Sequence, residues 1–227
     1  MHNGAESIGI SYRRAGQVMR LLVIGASRGI GLQVVHKALD QGHQVTACAR
    51  AATEIGISHP YLHRQRADVL DFFALQRIVP GHDAVVISLG ILPTFDKVRL
   101  FSEGTRNLID AMHAAHIKRL IVVTGIGAGD SRGHGGFFYD KLFQPFVLRT
   151  IYKDKERQEG LVRKSNLDWT IVRPGFLTNG AATHTVQIHT DLQGIVAGKV
   201  SRADVAEFIL HELDQPRYQQ QTPLLSY

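Results

Sequence analysis

The sequence predicts an α/β domain: a doubly wound parallel sheet with helices on both faces and a small C-terminal segment on the substrate side. Three observations lead there. Short runs rich in Val, Ile and Leu recur at 20–25, 44–49, 61–65, 83–88, 119–124 and 168–173, the composition of strands covered on both faces. Segments with apolar residues at helical spacing lie between them. The first run leads straight into glycines at 25, 29 and 31, where a helical pattern starts at once. Such alternation implies right-handed βαβ crossovers.

Residues 1–18 lack the apolar run of a secretory signal and are expected to form a flexible extension, with one domain spanning 19–227. Arg13 and Arg14 would suit a mitochondrial presequence, but Glu6 and the lack of an amphipathic pattern weigh against it. Ile30, Val34, Ala38 and Leu39 make the apolar stripe of the first helix. Phe101, Thr105, Leu108 and Met112 make that of a helix within 97–116. Residues 125–136 contain six glycines and are expected to form a loop at a strand's carboxyl end, where ligands bind in parallel sheets. A helical region follows, broken near Pro145 and continuing to about Ser165. Trp169 falls in the sixth strand and is expected in the core. After Pro174 the pattern weakens until Ser201, a predicted N-cap with Asp204 at the reciprocal capping-box position.

At 227 residues, 44% hydrophobic and 20% charged, the chain has the size and balance of one globular domain. The formal charge of +6 is scattered, with no run of five basic residues, so nucleic-acid binding is not expected. A single cysteine, Cys48, rules out an intrachain disulfide and is expected to be a small core residue in a reducing, cytoplasmic setting. No apolar stretch reaches 18 residues, so no membrane span is expected. His113 and His116 stand three apart on a helix but lack a third ligand, and no metal is expected. Oligomeric state is not legible.

Residues 25–31 read Gly-Ala-Ser-Arg-Gly-Ile-Gly, a GxxxGxG spacing between a strand and a helix. Glycines there let the backbone approach a pyrophosphate, and the helix's first N–H groups meet the anion. The second strand ends in Ala49 and Arg50 rather than in an acid. A carboxylate at that point would accept from a ribose 2′-hydroxyl, whereas a guanidinium suits a 2′-phosphate. The pattern therefore predicts a Rossmann-type site for NADP(H), with Arg28 joining Arg50 around the 2′-phosphate.

With these residues in view, the chain resembles the atypical short-chain dehydrogenase/reductases, and within them the group of biliverdin-IXβ/flavin reductase and the NmrA-like NAD(P)-binding proteins. The resemblance runs from Met19 to about Leu213. Besides the glycine loop it rests on Ala67-Asp-Val69, Ser88-Leu-Gly90, residues 104–111, 155–159 and 165–178, and the Ser-Arg-Ala-Asp-Val-Ala string at 201–206. It implies cofactor contacts from Gly25, Ser27, Arg28, Gly29, Ile30, Gly31 and Arg50. It also implies that Asp68 and Val69 flank the adenine, Ser88, Leu89 and Gly90 line the cofactor, and Pro174, Gly175, Phe176 and Leu177 pass near the nicotinamide.

The resemblance also raises a catalytic question. Core members use a Tyr and a Lys four residues apart. Here Lys155 takes the Lys place, but Ile151 stands four residues earlier and Tyr152 only three. That turns the phenol by about 100° around a helix. Thr124 ends the fifth strand, where the family places a hydroxyl. Thr124, Lys155 and Tyr152 are thus the catalytic candidates, Thr124 and Lys155 also as cofactor contacts, with His134 in the glycine-rich loop as an outlying proton donor or anion contact. A displaced tyrosine suits acceptors that take hydride into a conjugated system, such as flavins, quinones or tetrapyrroles. The expected function is an NADPH-dependent oxidoreductase acting on a small molecule. The alternative is a non-catalytic NADP(H) sensor of the NmrA type. A sugar-nucleotide epimerase fits less well, because only about 50 residues follow the sixth strand.

Overall fold

The computed structural model describes residues 17–137, 140 and 148–227. The expected N-terminal extension, apart from residues 17 and 18, and the break near Pro145 lie outside them. Six strands alternate with helices, except that a 3-10 turn (Ala52–Glu54) joins β2 to β3: β1 (Arg20–Ile24), α1 (Gly29–Asp40), β2 (Gln44–Ala49), β3 (Leu62–Arg66), α2 (Phe72–Ile78), β4 (Ala84–Ile87), α3 (Leu100–Ala114), β5 (Arg119–Val123), α4 (Arg149–Arg163) and β6 (Asp168–Pro174). Then come β7 (Phe176–Thr178), β8 (Gln187–His189), β9 (Lys199–Ser201), α5 (Arg202–Asp214) and β10 (Leu224–Ser226). The main sheet runs β3-β2-β1-β4-β5-β6-β10-β8. Its pairs are parallel except β10–β8. β7 and β9 form a separate parallel pair.

Alternation along β1 explains the two-sided core. Leu21 and Val23 pack among residues of α1 and α5, including Val34, Ala38 and Ile209. Leu22 and Ile24 pack on the opposite face with Leu75, Leu108, Met112 and Trp169. Both layers exclude water almost completely, and each such leucine contributes about 1.5–3 kcal/mol by burial. Cys48 and Trp169 are core residues, as expected. Burial, with help from the charge of Asp68, pushes the Cys48 thiol up to about 11.

Four short strands after Pro174 and the seven-residue α2 were not apparent in the sequence. α2 is opened by Asp71, whose carboxylate accepts from the Ala74 N–H at 2.9 Å. α3 has no side-chain cap of its own. Buried Asp154, on α4, accepts from the N–H groups of Phe101 (2.9 Å) and Ser102 (3.3 Å) instead. That cross-helix cap fixes the loop entering α3. Ser201 does cap α5, accepting from the Asp204 N–H at 3.0 Å. The reciprocal half of the box differs from expectation. The Ser201 N–H donates to the Tyr227 hydroxyl (2.9 Å), which in turn donates to Asp204 Oδ2 (2.6 Å). Aspartate is one methylene shorter than the usual glutamate, and the phenol spans the gap.

No helix among the described residues is long and apolar enough to cross a membrane. His113 and His116 are exposed, and the His113 ring bonds to the Ser165 carbonyl at 2.7 Å.

Candidate functional site: a cleft at the carboxyl ends of the strands

A cleft of about 970 Å³ opens where β1, β2, β4 and β5 end, the place where open parallel sheets bind ligands. The glycine loop forms its floor. Gly25 has φ +84°, and a Cβ there would stand 2.2 Å from the Ser88 carbonyl oxygen. A Cβ on Gly31 would stand 2.3 Å from the Gly25 carbonyl oxygen. The first turn of α1 therefore lies directly on the loop. No side chain caps α1, so its leading N–H groups remain available to an anion. A pyrophosphate fits this cradle.

Of the residues expected around a cofactor, Gly25, Ser27, Arg28, Gly29, Ile30, Arg50, Asp68, Val69, Ser88, Leu89, Gly90, Thr124, Lys155, Pro174 and Leu177 line the cleft. Gly31, Gly175 and Phe176 are not among its lining residues. Gly175 is needed for packing, since a Cβ there would meet the Gly198 carbonyl oxygen at 2.3 Å. Both arginines line the cleft, following different strands. Arg28 extends toward the carbonyl of Gly90, 3.5 Å away, on the β4 side of β1, while Arg50 follows β2 on the other side. Glu54, in the turn after β2, also lines that corner.

Sequence reasoning missed Arg202 and Asn179, which line the cleft from the C-terminal segment. Arg202 Nη1 donates to Asn179 Oδ1 at 2.7 Å, and its Nε lies 3.9 Å from where a Cβ on Gly29 would be. The Ser-Arg-Ala-Asp string held the signal, but as a helix start and a family motif it carried no cofactor contact. Ile91, Leu92 and Leu100 add an apolar wall, and Leu92 is largely exposed.

At the β5 end, Lys155 Nζ donates to the Thr124 backbone carbonyl and lies 5.2 Å from the centre of the Phe101 ring. Burial pushes this amine down to about 8, with Glu159 partly opposing the shift. The Thr124 hydroxyl donates to Glu159 Oε1 at 2.8 Å. Glu159 also accepts from fully buried Arg173 through Nε (3.1 Å) and Nη2 (2.6 Å). Burial alone would lower the Arg173 guanidinium, but the bonds and charges of Glu159 and Asp130 outweigh it and hold it above its ordinary range. Asp130, from the glycine-rich loop, pairs with Arg173 Nη1. Arg173 thus anchors that loop to the sheet.

Tyr152 is buried beside Val98, Phe101 and Ala128 and does not line the cleft. Its hydroxyl nevertheless lies 3.4 Å, and Lys155 Nζ 3.7 Å, from where a Cβ on Gly125 would stand. Phenol and amine therefore both border Gly125. His134 Nδ1 is engaged with the Ile195 carbonyl at 2.8 Å, and His134 is not among the cleft's lining residues.

Residues 25–216 match a family model described as NAD(P)H-binding. The chain belongs to this NAD(P)H-binding family. Among curated proteins it is similar to the uncharacterized sugar epimerase YhfK of Bacillus subtilis, 29% identical over 87% of this chain and 89% of that one. Among solved structures it is similar to ChuY, an anaerobillin reductase from Escherichia coli O157:H7, with 27% identity, a TM-score of 0.75, and coverage of 91% of this chain and 96% of that one. A short-chain dehydrogenase/reductase from Veillonella parvula in complex with NADP shares the fold, with a TM-score of 0.78 at 16% identity, covering 93% of this chain and 95% of that one. The fold and family are those of NAD(P)H-binding, oxidoreductase-like Rossmann proteins.

Proposed function

We propose that this protein is an NADPH-dependent reductase of a planar, conjugated small molecule. The observation that carries this reading is the cleft itself. An uncapped helix start and a glycine cradle form one end, Arg50 stands at the adenine-side corner, and an apolar wall beside Lys155 forms the other end. Bound there, the nicotinamide would supply hydride. The Gly25–Gly31 loop and Arg202 would hold the pyrophosphate, Arg50 the 2′-phosphate, and Asp68 and Val69 the adenine end. Lys155, anchored on the Thr124 carbonyl, would hold the nicotinamide ribose.

Among the described residues no tyrosine lines the cleft, and the Thr124 hydroxyl is committed to Glu159. Neither group stands ready to protonate an alkoxide. A conjugated acceptor relieves that need, because its charge spreads and water can deliver the proton. The protein's task is then to hold donor and acceptor face to face. Ile91, Leu92 and Leu177 give such an acceptor its apolar contact. The same missing tyrosine counts against an epimerase, whose chemistry requires a base on the sugar. The similarity to the reductase ChuY supports the reading.

The test is titration with NADPH and NADH, followed by NADPH oxidation with flavins, quinones and linear tetrapyrroles. Tighter NADPH binding with turnover of one acceptor class supports the proposal. Equal affinity for the two nucleotides overturns the role of Arg50. Binding without turnover of any acceptor overturns the enzyme in favour of a cofactor sensor.

A further inference from the structure

A second concavity, of about 450 Å³, opens on the sheet's β3 edge, against α2 and the turn before β4. Its origin lies in the lengths of the elements. Among the described residues β3 pairs only with β2, and α2 has seven residues, too few to cover the strand it follows. The residues from His63 to Arg66 are consequently exposed.

The polar lining consists of Thr46, His63, Gln65, Arg66, Arg77 and His82, with no carboxylate. His82 is a fixed wall: its Nδ1 meets the Val79 carbonyl at 3.0 Å and its Nε2 the Thr46 hydroxyl at 2.8 Å. The side chains of His63, Gln65, Arg66 and Arg77 form no hydrogen bond or ion pair with any described residue. Most guanidinium groups elsewhere do find partners. Arg64, the neighbour of two of these residues, holds the Ile55 carbonyl. Arg119 holds Glu212, and Arg157 holds Asp154. Two unpaired guanidinium groups beside an imidazole and an amide, in one hollow without acids, make a concentration of unused donors.

We propose that this hollow binds a small polyanion carrying phosphates or clustered carboxylates, gripped by Arg66 and Arg77 with His63 and Gln65 as further donors. Planar guanidinium forks match both kinds of oxyanion. The site is distinct from the cofactor cleft, although Ala67 and Asp68, which follow Arg66 directly, line that cleft. A bound anion would therefore sit behind the adenine end and could tune cofactor affinity through this short connection.

The test uses calorimetry at physiological ionic strength, where screening weakens diffuse attraction. Pyrophosphate and citrate are titrated separately into protein saturated with NADPH. The same titrations are run on cofactor-free protein, where the glycine cradle also takes pyrophosphate, so that only binding lost in Arg66→Ala or Arg77→Ala is assigned to the hollow and the result does not depend on the nucleotide reading. One saturable site for either probe, weakened at least tenfold by Arg77→Ala and by Arg66→Ala but not by Arg106→Ala, supports the proposal. Response to pyrophosphate alone assigns a phosphorylated ligand, and response to citrate alone a polycarboxylate. No saturable binding of either probe, or binding that survives both substitutions, overturns it.

Discussion

Thr124 gives its hydroxyl to Glu159 at 2.8 Å, and the same carboxylate accepts two bonds from Arg173. The hydroxyl that the family pattern assigns to the substrate is thus part of a buried structural network. Thr124→Val is expected to leave turnover of a conjugated acceptor within a few-fold while lowering stability by about 1–3 kcal/mol. Urea denaturation and steady-state rates on the same preparations check both halves.

Glu159→Gln leaves Arg173, which has no exposure to solvent, with the exposed Asp130 as its charge partner and without the buried one. Breaking a buried pair from one side costs about 3–5 kcal/mol. The variant is expected to unfold at markedly lower urea, and the glycine-rich loop held through Asp130 should become more sensitive to proteolysis.

Arg50→Glu should weaken NADPH binding roughly ten- to a hundredfold, because a charge-assisted hydrogen bond is worth about 1.5–3 kcal/mol. NADH affinity should stay level or improve. Fluorescence titration with both nucleotides reads the ratio directly.

Arg202→Ala distinguishes a pyrophosphate contact from a 2′-phosphate contact. Losing a contact to the diphosphate that both nucleotides share should weaken NADPH and NADH by the same factor, about tenfold. A selective loss of NADPH would move Arg202 to the 2′-phosphate.

Lys155 sets a pH signature. Its folded value is pushed down to about 8 from an ordinary 10.5. Below pH 8 the amine is charged in both folded and unfolded chains, and the burial penalty is fully present. Between pH 8 and 10.5 the unfolded chain binds more protons, so this group makes stability rise with pH. The difference in denaturation free energy, wild type minus Lys155→Met, should therefore increase from pH 7 to pH 10. A flat difference would contradict the burial of the amine.

Much of the fold was legible because buried parallel strands concentrate Val, Ile and Leu. The six strands from Arg20 to Pro174 were each placed within a residue or two at either end. The three-residue strands β7 to β10 were not, since their register comes from neighbours far along the chain: Leu224 pairs with Arg173 and His189. The glycine loop was readable because local backbone geometry alone demands those residues. Arg202 and Asn179 escaped notice because only tertiary packing brings α5 beside α1. Arg28 and Arg50 both line the cleft, but the Gly90 carbonyl that Arg28 reaches lies 62 residues along the chain, beyond any local pattern. Tyr152 illustrates the same limit. Its angular offset along α4 was predictable, but that its hydroxyl and the Lys155 amine both border Gly125 is set by tertiary packing.

The placement of β10 between β6 and β8 carries a consequence for biogenesis. On a ribosome β6 and β8 emerge well before Leu224–Ser226, and among the described residues β8 has no other partner in the sheet. Until that segment is synthesised, the flank of β6 exposes unpaired backbone groups, a template for wrong pairing. Nascent chains halted short of Leu224 should therefore be the species that chaperones retain and that aggregates recruit.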